Sequence, residues 1–185
     1  LKKLEIIKPG GFILFSDKIE SYEQTTKLIE DINSTADIPM FISIDQEGGR
    51  VARIKKLSDT EVTIIPPMYK LGLTKDEELA YEVGKVVGEE LRALNINMDF
   101  APVLDIYSNP ENTVIGDRSF GSTAELVSNM ALSFSQGLES TGVISVYKHF
   151  PGHGDTYEDS HNTLPIITKT KEELMELELI PFKDA

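Results

Sequence analysis

In 185 residues, 18 Lys and Arg stand against 31 Asp and Glu, giving a formal net charge of −13. That field repels phosphate backbones and anionic membrane surfaces, so nucleic-acid binding is not expected. The absence of cysteine excludes disulfides, thiolate metal sites and cysteine nucleophiles, while 40% hydrophobic and 26% charged residues suit one globular domain with a core.

The pattern along the chain alternates short apolar runs with longer helical ones. Gly11-Phe12-Ile13-Leu14-Phe15 reads as a strand buried on both faces, because it does not alternate with polar residues. A helical stretch follows, with Leu28, Ile29 and Ile32 on one face. Met40–Ile44 is a second strand, ending at Asp45. Thr74-Lys75-Asp76-Glu77 has the spacing of a capping box, in which a hydroxyl and a carboxylate satisfy free amides at a helix start. Behind it Leu79, Val83, Val86, Val87, Leu91 and Leu94 recur at helical spacing.

Ile96–Phe100 is a third strand, and Ser122-Thr123-Ala124-Glu125 is a second capping box. That box opens a helix with Leu126, Met130, Phe134 and Leu138 inward. Val143–Tyr147 is a fourth strand. Thr170 begins a last helix that Pro181 ends or kinks. No repeat, linker or low-complexity segment interrupts the series, so residues 1–185 read as a single partial barrel domain. No apolar run is long enough to span a bilayer and no segment resembles a signal peptide. The chain opens on Leu rather than Met, which leaves upstream sequence and localisation undecided.

Strand, crossover helix and next strand form the grammar of a parallel α/β sheet. An open doubly wound sheet and a closed (β/α)8 barrel of the TIM type both use it. The first strand-to-helix turn lacks G-x-G-x-x-G, and no P-loop occurs, which favours the barrel. A full barrel takes about 250 residues, so four clear strands predict an incomplete one. Unpaired strand edges would invite self-association.

All three histidines fall between positions 149 and 161, in Lys148-His149-Phe150-Pro151-Gly152-His153-Gly154-Asp155-Thr156-Tyr157-Glu158-Asp159-Ser160-His161. Imidazole exchanges protons near neutral pH, and Asp159 is near enough in sequence to orient the ring of His161. Proton transfer is therefore the expected chemistry of this loop, against the alternative of a histidine bonded only for rigidity. Lys148 and His149, directly after a strand, suit sugar or carboxylate oxygens, or equally a capped sheet edge. Asp45-Gln46-Glu47-Gly48-Gly49-Arg50-Val51-Ala52-Arg53 puts a carboxylate at a strand end and two arginines beyond a double-glycine turn. Asp45 offers acceptors to vicinal hydroxyls and Arg53 a fork of donors, although a turn with a surface ion pair fits as well. Arg118 either clamps a ligand or ties a long loop. A zinc site on His149, His153, His161 and Asp159 is the weaker reading, because Pro151 and Gly152 break the helix that would align two of the rings.

The run from Lys148 to His161, with Asp45–Arg53 upstream and Phe100-Ala101-Pro102-Val103-Leu104-Asp105 between, resembles bacterial β-N-acetylhexosaminidases of glycoside hydrolase family 3. Both long motifs match almost continuously, in the same order, and the likeness covers essentially the whole chain. It implies a (β/α)8 barrel that releases terminal β-linked N-acetylglucosamine with retention, without cofactor or metal. Partners would be N-acetylglucosamine-containing saccharides or muropeptides from peptidoglycan. Carried over, Asp45, Arg53, Arg118, Lys148 and His149 match the positions that grip the non-reducing sugar, and His161 with Asp159 matches the general acid/base pair. The family's β-glucosidases lack this histidine loop. The matching nucleophile is an aspartate of a later motif, so this chain alone is expected to hydrolyse nothing. A non-catalytic muropeptide-binding protein and a family β-glucosidase are the alternatives.

Overall fold

The computed structural model describes residues 2–155 and 169–185; Asp159 and His161 lie outside them. Four parallel strands form one sheet: β1 (Gly11–Ile13), β2 (Phe41–Ile44), and two later ones, Met98–Asp99 and Ile144–Ser145. A two-stranded antiparallel ribbon, β3 (Gln46–Gly48) and β4 (Val51–Ala52), follows β2, so Met98–Asp99 is β5 and Ile144–Ser145 is β6. The sheet order is β1-β2-β5-β6. Each crossover moves one place in the same direction, and no reversal creates the switch point of a doubly wound sheet. This is a partial, unclosed barrel, as the sequence pattern predicts.

Helices α1 (Lys2–Ile7), α2 (Tyr22–Asn33), α3 (Met68–Thr74), α4 (Glu77–Ala93) and α5 (Ala124–Ser140) precede β6, and α6 (Lys171–Glu176) and α7 (Ile180–Asp184) follow it. Ile29 and Ile32 of α2, Val87 and Leu91 of α4, and Phe134 and Leu138 of α5 are buried with Ile42, Ile44 and Ile96 in one core. Helices α4 and α5 approach until their backbones touch. A Cβ at Gly84 would lie 2.0 Å from the carbonyl oxygen of Phe134, and one at Gly137 1.9 Å from that of Tyr81. These glycines, poor helix formers, are kept by packing.

Several sequence expectations need correction. The first strand is not buried on both faces: Leu14 is fully buried, but Ile13 and Phe15 are 46% and 51% exposed. One face, with Leu14 and the partly buried Phe12, packs into the core, and the other stays open to solvent. Leu79 is 42% exposed, and Ala80 and Gly84 take its place on the buried face of α4. The cap of α4 is Asp76, which accepts from the amide of Leu79 at 3.0 Å. Thr74 instead closes α3, donating back to the carbonyl of Leu71. The cap of α5 is Thr123 rather than Ser122. Thr170 and Glu173 do form the expected reciprocal box, but α6 stops before Leu177 and Pro181 opens α7. Asp76→Ala is expected to cost about 1 kcal/mol of stability, read as a shift in denaturation midpoint, while Thr74→Ala costs less.

Candidate active site

The carboxyl edge of the sheet collects the predicted sugar-gripping residues into one charged cluster. Asp45 leaves the end of β2. Two residues on, Glu47 projects from β3 on the same side, as the period of extended backbone requires. Lys148, beyond β6, reaches both carboxylates: its Nζ lies 2.8 Å from Asp45 Oδ1 and 2.5 Å from Glu47 Oε1. Arg53, just past β4, approaches Asp45 Oδ2 at 3.5 Å.

Arg118 comes from the long loop after β5 and grips Glu47 with two parallel bonds, Nε to Oε2 and Nη2 to Oε1, both 2.8 Å. It also donates to the carbonyl of Val114 at 3.1 Å, so it both ties the loop and faces the site. Most of the loop-tying falls to Arg50, which donates to the carbonyls of Thr113, Val114 and Ile115.

His149 is held from both sides. Its Nδ1 lies 2.5 Å from Oδ2 of the completely buried Asp105, and its Nε2 lies 3.3 Å from Arg118 Nη2. Arginine can only donate, so Nε2 accepts and Nδ1 carries the proton to Asp105. Asp105 Oδ1 also accepts from the amide of His153 at 2.6 Å, fixing the start of the histidine loop. Lys169 bridges Asp155 and the buried Glu178.

Burial alone would raise the pKa values of Asp45 and Glu47. The hydrogen bonds and charges of Lys148 and Arg53 more than offset this at Asp45, and those of Arg118 and Lys148 do so at Glu47, holding both below their ordinary values. Both carboxylates are ionised near neutrality and their cations are fixed in place. A fixed array of alternating acceptors and donors suits neighbouring hydroxyls. Among the described residues no group of three or more His, Asp or Glu is placed to hold a metal ion, and no helix is long and apolar enough to cross a membrane.

The structure thus brings Asp45, Arg53, Arg118, Lys148 and His149 together. It adds Glu47 and Asp105, to which the sequence alone assigned no role. The i, i+2 spacing of Asp45 and Glu47 after a strand was a usable signal for the first. Asp105 gave none beyond its position after Pro102, since its partners come from the distant histidine loop.

A singly wound β/α sheet with its polar cluster at the carboxyl ends of the strands defines a domain of the (β/α)-barrel class. The chain belongs to glycosyl hydrolase family 3: the N-terminal domain of that family matches residues 2–185. It is 39% identical over 183 residues to the β-hexosaminidase A of Pseudoalteromonas piscicida, covering 95% of this chain and 30% of that protein. It is also similar to the family 3 β-N-acetylglucosaminidase of Paenibacillus sp. str. FPU-7, with a TM-score of 0.93 and 46% identity over 100% of this chain and 35% of that one. NagZ of Neisseria gonorrhoeae in complex with N-trifluoroacetyl-D-glucosamine superposes with a TM-score of 0.88 at 36% identity, covering 99% of this chain and 55% of that one. The chain therefore spans only part of the length of the proteins it matches.

Proposed function

We propose that this chain is the sugar-gripping part of a retaining β-N-acetylhexosaminidase that removes terminal N-acetylglucosamine from peptidoglycan fragments. The observation that carries the reading is the convergence of Asp45, Arg53, Arg118, Lys148 and His149 at one sheet edge. Two further features support it. The Nε of Arg53 is buried with no hydrogen-bond partner, so a donor already stands in the cluster for a ligand oxygen. The similar proteins include hexosaminidases and a NagZ bound to an N-acylated glucosamine.

In this reading Asp45 accepts from two hydroxyls of the non-reducing sugar while Arg53, Lys148 and Arg118 donate to its oxygens. His161, oriented by Asp159, protonates the glycosidic oxygen as an aspartate from a later motif attacks the anomeric carbon. The C–O bond to the leaving group breaks and a glycosyl ester forms. His161 then takes a proton from water, which attacks the same carbon and releases the sugar with retention. A histidine is repelled less than a second carboxylate would be by the anionic nucleophile.

The test uses the full-length protein on aryl β-N-acetylglucosaminide and aryl β-glucoside side by side, with preference for the amino sugar expected. His161→Ala should reduce turnover of poor leaving groups at least about tenfold more than that of activated aryl glycosides, because only the former need the proton. Equal losses on both substrates would remove His161 from the role.

A further inference from the structure

Beneath the cluster lies a carboxyl that gripping a sugar does not use. Asp99, at the end of β5, is completely buried. Its Oδ1 accepts from the main-chain amide of Gln46 at 2.9 Å, and its Oδ2 is buried with no hydrogen-bond partner. Gln46 stands between Asp45 and Glu47, and its own side chain is fixed as well. Its Oε1 accepts from the amides of Arg53 at 2.7 Å and Ile54 at 3.3 Å. Gln46 is thereby clamped through main chain and side chain together. That clamp sets where Asp45, Glu47 and Arg53 stand relative to one another.

We propose that Asp99 is a positioning residue for the sugar-gripping cluster: its buried carboxyl pins the Asp45–Glu47 turn through Gln46 and leaves Lys148 to those two carboxylates. The inference rests on the reading of that cluster as the sugar subsite.

Three ionised carboxylates would compete for one ammonium. Lys148 already bridges Asp45 and Glu47. A charged Asp99 below them would be a third carboxylate drawing on the same ammonium, with one oxygen left unsolvated. Burial, reinforced by the charges of Asp45 and Glu47, drives its pKa well above the ordinary value of 3.8, against the weaker opposing pull of the Gln46 amide and Lys148. A neutral acid still accepts the Gln46 hydrogen bond through its carbonyl oxygen, and it leaves the net charge of the cluster unchanged.

The experiment compares Asp99→Asn and Asp99→Ala in the full-length protein. Asn keeps the shape, the acceptor and the neutrality. Its kcat/KM on aryl β-N-acetylglucosaminide should stay within about threefold of the parent, with an unchanged pH profile. Ala frees the turn, so KM and the dissociation constant for N-acetylglucosamine should rise about tenfold or more, with kcat changing less. An Asn variant as impaired as the Ala variant, or one whose pH profile moves, overturns the proposal. So does an Ala variant with unchanged KM. Infrared difference spectra of the parent against Asp99→Asn should contain the carbonyl band of a protonated carboxylic acid. Its absence overturns the proposal even if Asp99→Ala does not fold. If the band is present but the parent neither binds nor cleaves an N-acetylglucosaminide, the sugar reading has failed and the neutral acid stands.

Discussion

Glu47→Ala in the full-length protein should lower kcat/KM on an N-acetylglucosaminide by about a hundredfold to several thousandfold and also lower the melting temperature. Glu47 is 2% exposed and holds two cations at once, Arg118 through a fork of bonds and Lys148 through a third. Removing it leaves the partly buried Arg118 guanidinium without its carboxylate and Lys148 with Asp45 alone. Breaking a buried pair by deleting one partner costs roughly 3–5 kcal/mol, most of it the desolvated charge left behind. Glu47→Gln keeps the volume but not the charge, and should fall between the parent and Ala. A Glu47→Ala enzyme within a few-fold of the parent would mean that Arg118 and Lys148 hold their places without it.

The same residue predicts how stability depends on pH. The folded pKa of Glu47 is depressed below its ordinary 4.5, with the ion pairs outweighing burial. Its contribution is therefore fully present above the unfolded-state pKa and is lost as pH falls through the folded one. Asp45, depressed from 3.8 by Lys148 and Arg53 against its own burial, acts in the same direction. Denaturation midpoints of the parent should fall on acidification below about pH 4.5, and Glu47→Gln should show a shallower fall, not a flat one, because Asp45 remains.

How much of this could be read from the chain depends on how local the cause is. The parallel sheet was legible because its strands are apolar runs ending in polar residues, and α4 and α5 because their apolar periodicity is long. The helix caps were displaced by one or two residues because adjacent side chains compete. Thr74 and Asp76 both have the acceptor a cap needs, and only the preceding turn of α3 decides that Thr74 bonds backward. The glycines of α4 and α5 read as weak points, whereas in the fold they are contacts. Glu47 shows only its i, i+2 spacing from Asp45, which places it at the strand edge but does not reveal its partners. It sits in a double-glycine motif that looks like a turn, and its partner Arg118 is 71 residues away. No local pattern states that a buried carboxylate will be met by two cations from later loops.

Gly154 carries the other large expectation. A Cβ there would stand 1.7 Å from the main-chain oxygen of Ile106 and 2.6 Å from its carbonyl carbon, neither of which can rotate away. Gly154→Ala must therefore push the start of the histidine loop off the strand-end segment below it, at a cost of about 3 kcal/mol or more. What moves is specific. The amide of His153 bonds Asp105 at 2.6 Å and its carbonyl accepts from Asn112 at 2.7 Å. Asp105 is also the carboxylate that orients His149. Two other glycines calibrate the result. A methyl group added at Gly10 would meet nothing within 4 Å and its backbone is not left-handed, so Gly10→Ala should change stability by no more than about 0.5 kcal/mol. Gly142 is equally open but has φ +83°, so Gly142→Ala should cost only the backbone strain, about 1 kcal/mol. Among the three full-length variants Gly154→Ala should melt lowest, Gly142→Ala next and Gly10→Ala with the parent, and Gly154→Ala alone should also lose turnover through His149. If Gly154→Ala melts with the parent, the loop does not rest on Ile106, and the link from strand end to Asp105 to histidine loop is broken at its first step.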